Sequence, residues 1–251
     1  MSSEGEPVTD RVAAAAVRTV GAATARVYAA WSAGSPVPEA HDQRGEGVAD
    51  LAARRARVWE VPVSERMAAE LSDLRGDDGA ARRELSEPHE MIYDGANTFM
   101  RAAGRWTCFF LGDREDPRGL NDPLWPLDAL FGACGDAVES GPDVVRGVAV
   151  TRYHVRVDLA RADAVVPAGM SVPAGPFRAL RQLPAEVWLD GAGLVRRVAV
   201  STETRAVGGD EPTWAVCELW DFGVAVHITP PLPGEITPPG EVNWDTSGPG
   251  A

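Results

Sequence analysis

Residues 183–202, LPAEVWLDGAGLVRRVAVST, hold two apolar runs joined by Asp190-Gly191-Ala192-Gly193. Asp-Gly between β-prone runs is a strong hairpin signal. Glycine takes φ > 0 without a Cβ penalty, and an aspartate carboxylate bonds the backbone of its own turn. A calcium loop needs several more oxygen ligands at fixed spacing, and none follow Asp190. The stretch reads as two antiparallel strands about a tight turn, with Asp190 bending the chain.

The same pattern extends outward. In RGVAVTRYHVRVDL (146–159), Thr151, Tyr153, Val155, Val157 and Leu159 alternate with Arg152, His154, Arg156 and Asp158, the mark of a strand with one buried face. WAVCELWDFGVAVHITPP (214–231) supplies one or two more strands, and HEMIYDGANTFMRAAGRWTCFFL (89–111) three short runs split by DGAN and AAGR. Near the N-terminus, Val12, Ala16, Thr19, Val20 and Ala23 recur at helical spacing, with Thr9 or Asp10 as the expected cap. ARVYAAWSAG (25–34) turns β-like, GSPVPEAHDQRGEG (34–47) is a turn-rich connection, and Ala52, Arg54, Ala56, Val58 and Glu60 alternate as a strand. A short helix and exposed loop are expected over 64–87, and an acidic loop over 113–123. PLWPLDALFGAC (123–134) predicts a helix with Leu127, Leu130, Phe131 and Cys134 on one side. From residue 230 the chain is rich in Pro and Gly and reads as a tail without its own core. The sum is an α+β chain of about nine or ten β-segments, mostly antiparallel, packed on an N-terminal and a central helix.

Composition narrows the function. The chain has 251 residues, 45% of them hydrophobic, enough for a substantial core. Its formal net charge of −13 opposes nucleic acid and anionic lipid surfaces. Every basic residue is Arg, so there is no Schiff-base or P-loop lysine. Cys108, Cys134 and Cys217 form no Cys-x-x-Cys and read as buried free thiols, with a 108–217 bridge as the alternative. The polar N-terminus, MSSEGEPVTD, has no signal-peptide pattern, and the AAAAV run (13–17) is too short to span a bilayer. A cytoplasmic location is expected.

No motif announces chemistry. His41, His89, His154 and His227 lack metal-ligand spacing, and there is no Gly-x-Ser-x-Gly, Walker loop or dinucleotide fingerprint. Asp113, Glu115, Asp116 and Asp122 read as a charged loop. No catalytic residue, metal or cofactor is assigned. The aromatic residues admit two readings, ordinary core or the lining of an apolar cavity between a curved sheet and its helices.

The order of these elements resembles the LolA-like fold, and within it the lipoproteins of the LppX/LprG kind. The residues that carry the resemblance are ATARV with GEGVADLAARRARV, HEMIYDGANTFMRAAGRW, NDPLWPLDALFGA, RGVAVTRYHVRVDL, LPAEVWLDGAGLVRRVAVS and ELWDFGVAVHITPP. The resemblance implies a half-open antiparallel barrel around helices, over residues 12–232, between an N-terminal tail (1–11) and a Pro/Gly-rich tail (233–251). It also implies a cavity for acyl chains or other lipophilic molecules. Members carry lipids or lipidated proteins or sense envelope stress, and the family offers no catalytic residues to transfer. The family's signal peptide and lipobox cysteine are not recognisable in MSSEGEPVTD, so a member without them is expected.

The resulting expectation is a non-enzymatic binding protein for a hydrophobic or amphipathic small molecule. Trp106, Phe109, Phe110, Trp125, Phe131, Tyr153, Trp188 and Trp220 would line its cavity, with Arg152, His154 and Arg156 as polar anchors. The rival readings are an enzyme that reuses the cavity, in the manner of a cyclase or isomerase, and a scaffold docking through its C-terminal tail or a sheet edge.

Overall fold

The computed structural model describes residues 7–38, 43–61, 88–95, 97–102, 104–109, 122–166, 182–205 and 211–237. Twelve strands form one curved, unclosed sheet: β1 (Thr24–Ala33), β2 (Gln43–Asp50), β3 (Arg55–Val61), β4 (His89–Asp94), β5 (Asn97–Ala102), β6 (Arg105–Phe109), β7 (Ala133–Val145), β8 (Val148–Val157), β9 (Leu183–Asp190), β10 (Val195–Arg205), β11 (Pro212–Trp220) and β12 (Ile236–Thr237). The spatial order is β12-β6-β5-β4-β3-β2-β1-β11-β10-β9-β8-β7. Every pairing is antiparallel except β12 on β6. Among the described residues three helices pack on the concave side: α1 (Val8–Gly21), α2 (Trp125–Ala129), which runs on as a 3-10 turn (Leu130–Gly132), and α3 (Leu159–Val165).

The alternation decides which side chains face the helices. Val27, Ala49, Val58, Tyr93, Val155, Val187, Val198 and Cys217 point inward and meet Val12, Ala16, Trp125, Leu127 and Leu130 in one buried core. A smaller cluster lies on the convex side, where Trp188, Ala199, Val216 and Ala30 are covered by Val145 and Val150 of the β7–β8 hairpin. Strand β9 is therefore buried on both faces.

Several local expectations are corrected. Helix α1 starts at Val8 behind Pro7, whose φ of −51° presets the first turn, and has no side-chain cap. Thr9 instead donates to the Gly135 carbonyl at 2.8 Å. The turn-rich connection ends early, because QRGEG is already β2; a Cβ on Gly47 would run into the β3 backbone at Arg57–Val58. Residues 51–54 form a turn with Arg54 at φ +56°, so β3 begins at Arg55. Cys134 belongs to β7 and not to the central helix. The β8 alternation stops at Val157: the Asp158 carboxylate accepts the Arg161 N–H at 3.0 Å and starts α3, a helix not foreseen. Ile236 and Thr237, read as tail, pair with Trp106 and Thr107. The expected helix and loop over 64–87 and the acidic loop apart from Asp122 and Pro123 lie outside the described residues. All three cysteines are free thiols.

Candidate functional site

The turn that decides the fold also rims an open groove beside α1. Asp190 Oδ1 accepts the N–H groups of Ala192 and Leu194, each at 2.9 Å, and Oδ2 accepts Arg196 Nε at 2.7 Å. Gly193 takes φ +73° and its N–H returns to the Asp190 carbonyl at 2.8 Å. The Asp190 carboxylate is thus consumed by its own turn, as the sequence implies. Helix α1 lies against this turn. Thr19 Oγ1 accepts the Val195 N–H at 2.9 Å while donating to the Ala15 carbonyl, and Arg18 Nη1 donates to the Gly193 carbonyl at 3.3 Å. Two helical turns earlier, Arg11 Nη1 reaches Tyr153 Oη at 3.4 Å. Ala15 stands between the two arginines on the same face. Arg11, Ala15, Arg18, Thr151, Tyr153, Leu189 and the Asp190–Gly193 turn together line a groove of about 480 Å³. That volume lies within the usual range of small-molecule sites, roughly 300–1,000 Å³.

The interior between α2 and β1–β3 is different. Trp31 and Trp125 rings lie 6.4 Å apart there, beside Gln43 and Glu60. The space among them is about 20 Å³, room for a single water. Glu60 accepts hydrogen bonds from Tyr93 Oη at 2.7 Å and Gln43 Nε2 at 3.3 Å. Burial pushes the Glu60 carboxyl above its ordinary pKa; the two hydrogen bonds offset only part of that. Tyr93 is raised as well, by burial first and then by the Glu60 charge. Nearby, Arg54 and Asp128 form a fully buried ion pair, with Asp122 3.5 Å from the same guanidinium. The three thiols are all raised by burial, Cys217 most strongly, and stay protonated at neutral pH. Among the described residues, no group of three His, Cys, Asp or Glu side chains is placed to hold a metal, and no helix is long and apolar enough to cross a membrane.

The residues singled out from sequence divide between the two faces. Trp125, Phe131 and Tyr153 lie in the core under the helices, and of these only Tyr153 reaches the groove. Trp188, Trp220 and Trp106 are in phase with the convex face. Trp188 is fully buried beneath the β7–β8 hairpin between the guanidinium groups of Arg152 and Arg197, at 5.2 and 5.1 Å, and its Nε1 donates to Asp143 at 2.8 Å. Arg146 stacks on Trp220 at 3.7 Å and binds Glu218 at 2.7 Å. Arg101 covers Trp106 at 5.7 Å. The three polar anchors are also convex: Arg152 pairs with Glu186 at 2.6 Å, half-exposed His154 stands 3.5 Å from the same carboxylate, and Arg156 donates to the Gln182 carbonyl. Phe109 pairs with Thr98 in the β5–β6 ladder, and Phe110 lies outside the described residues. Sequence reasoning passed over Arg11, Arg18, Thr151 and Leu189. The usable signal was Arg11-x₆-Arg18 about a stretch of alanines, a seven-residue spacing that puts both cations on one helix face.

No protein-family model and no curated protein matches the chain. Among solved structures it is similar to LprF from Mycobacterium bovis, at 14% identity and a TM-score of 0.50, over 90% of this chain and 99% of that one. It is also similar to the lipoprotein LppX from Mycobacterium tuberculosis (10% identity, TM-score 0.48, 88% and 99% covered). A third likeness is to a LolA superfamily protein from Nitrosomonas europaea (7% identity, TM-score 0.30, 86% and 93% covered). At such identities the likeness is one of architecture alone: the chain has a LolA-like fold of the LppX/LprG kind, shared with LprF.

Proposed function

We propose that this protein is a non-enzymatic binding protein that holds an amphipathic small molecule, such as an acyl-chain compound, between α1 and the β8–β10 part of the sheet. The observation that carries this reading is the groove of about 480 Å³ between Arg11, Arg18, Thr151, Tyr153, Leu189 and the Asp190–Gly193 turn. An aliphatic chain would lie along the Tyr153 and Leu189 side of the groove, each methylene it takes out of water contributing about 0.8 kcal/mol. The fold supports the assignment, since a curved sheet that does not close leaves the rim of its concave side accessible. The rival enzymatic reading would draw on Glu60, a buried carboxyl with a raised pKa, but the space beside it admits one water and no substrate.

Thr151→Trp tests the proposal. Thr151 faces the groove from β8, and an indole there occupies the volume offered to the chain. Dodecanoate binding, followed by isothermal calorimetry below the micellar range, should weaken at least tenfold, with the thermal midpoint within a few degrees of the parent. Unchanged binding would remove the groove from consideration.

A further inference from the structure

The groove has a chemical polarity that the fold does not explain. Arg11 and Arg18 are exposed, lie two helical turns apart and flank the same groove. Each makes one long hydrogen bond to a neutral acceptor, the Tyr153 hydroxyl and the Gly193 carbonyl. Among the described residues neither has a carboxylate within 4 Å. The convex-face arginines of β8 and β10 differ: Arg152 is paired with Glu186 and Arg197 with Glu218. Asp190, the acidic residue of the rim, is already neutralised by Arg196. Glu139, opposite Tyr153 in the β7–β8 ladder, is exposed. In a chain of net charge −13, two guanidinium groups that flank one groove and have no carboxylate within 4 Å among the described residues are a local reversal of sign.

We infer that the groove selects ligands with an oxyanion head, a carboxylate or a phosphate monoester, bound by Arg11 and Arg18 while the chain lies along Tyr153 and Leu189. A guanidinium presents a planar fork of N–H donors matched to either head, and a charge-assisted bond is about twice as strong as a neutral one. The Thr151 hydroxyl, also on the groove wall, adds a neutral donor. This inference rests on the binding function proposed above and adds the class of ligand.

The test compares dodecanoate and dodecyl phosphate with neutral monolauroylglycerol, all below their micellar concentrations, by calorimetry on the intact chain. Both anions should bind at least tenfold tighter than the neutral lipid, with an advantage that falls as salt rises from 50 to 500 mM. Arg11→Gln and Arg18→Gln should each weaken the anions about tenfold and leave monolauroylglycerol unchanged, and Glu139→Gln should strengthen the anions. A preference for one anion over the other identifies the head. Equal affinity for all three lipids would overturn the oxyanion assignment while leaving the binding function in place. Binding of none of them would overturn both. Circular dichroism of the exposed-site variants, expected to match the parent, separates lost binding from lost fold.

Discussion

Asp190 shows how a single side chain fixes both the fold and the rim of the groove. Its carboxylate takes three hydrogen bonds at 2.7–2.9 Å, two from the backbone of its own turn and one from Arg196. Asp190→Ala leaves the turn donors and the guanidinium without an acceptor. Urea denaturation should show a loss of about 2–3 kcal/mol, and Asp190→Asn should recover part of it by keeping one acceptor oxygen. Glu60 behaves oppositely. Its pKa is raised on folding, so the folded protein holds a proton that the unfolded chain releases, and stability from this group falls as pH rises. The window opens near the ordinary glutamate value, about 4.3, and closes above the raised value of the folded state. In Glu60→Gln the amide can still accept from Tyr93 or Gln43 and carries no charge to bury. The variant should match the parent at pH 4 and melt at higher temperature at pH 7, by a few degrees; an equal or lower melting temperature at pH 7 would contradict the burial argument.

At the scale of elements, the β7–β8 hairpin explains why the strands were legible and the site was not. Period-2 alternation gives the two faces of a strand, and the registers of β8, β9 and β11 follow it, as does β10 between its irregularities at Val195–Arg197 and Ser201–Arg205. Alternation does not label a face as inner when both carry large apolar residues. Trp188 is such a case: it is in phase with Arg152 and Arg197 on the convex side, and is buried because the hairpin tip folds over it. The tip is held by Arg146, at φ +48°, which spans from Glu218 to the rings of Trp220 and Tyr28. Arg146→Ala removes the cation-π stack and one of the two guanidinium partners of Glu218. A stability loss of about 1–2 kcal/mol is expected, with hydrogen exchange accelerated first at Val144–Val148. Uniform exchange across the sheet would show that the tip is not a separate unit. Helix α3 escaped prediction for a related reason: Leu159 continues the strand period by coincidence, and only the Asp158 cap breaks it.

For the molecule as a whole, the half-open barrel could be inferred from the order of its motifs, whereas the groove joins residues too distant in sequence to associate. Arg11 and Leu189 are nearly two hundred positions apart and meet only when α1 settles against the β9–β10 turn. Among the described residues Trp125, Leu127, Leu130 and their strand partners pack the space under α2, and the proposed ligand site lies instead at the rim beside α1. The central claim is that this rim binds an amphiphile. It is tested most directly by native mass spectrometry of the intact chain with a tenfold excess of dodecanoate, compared with the denatured mass. The account predicts a one-to-one adduct that disappears on denaturation and is lost in Thr151→Trp. A bare mass at that excess would contradict it.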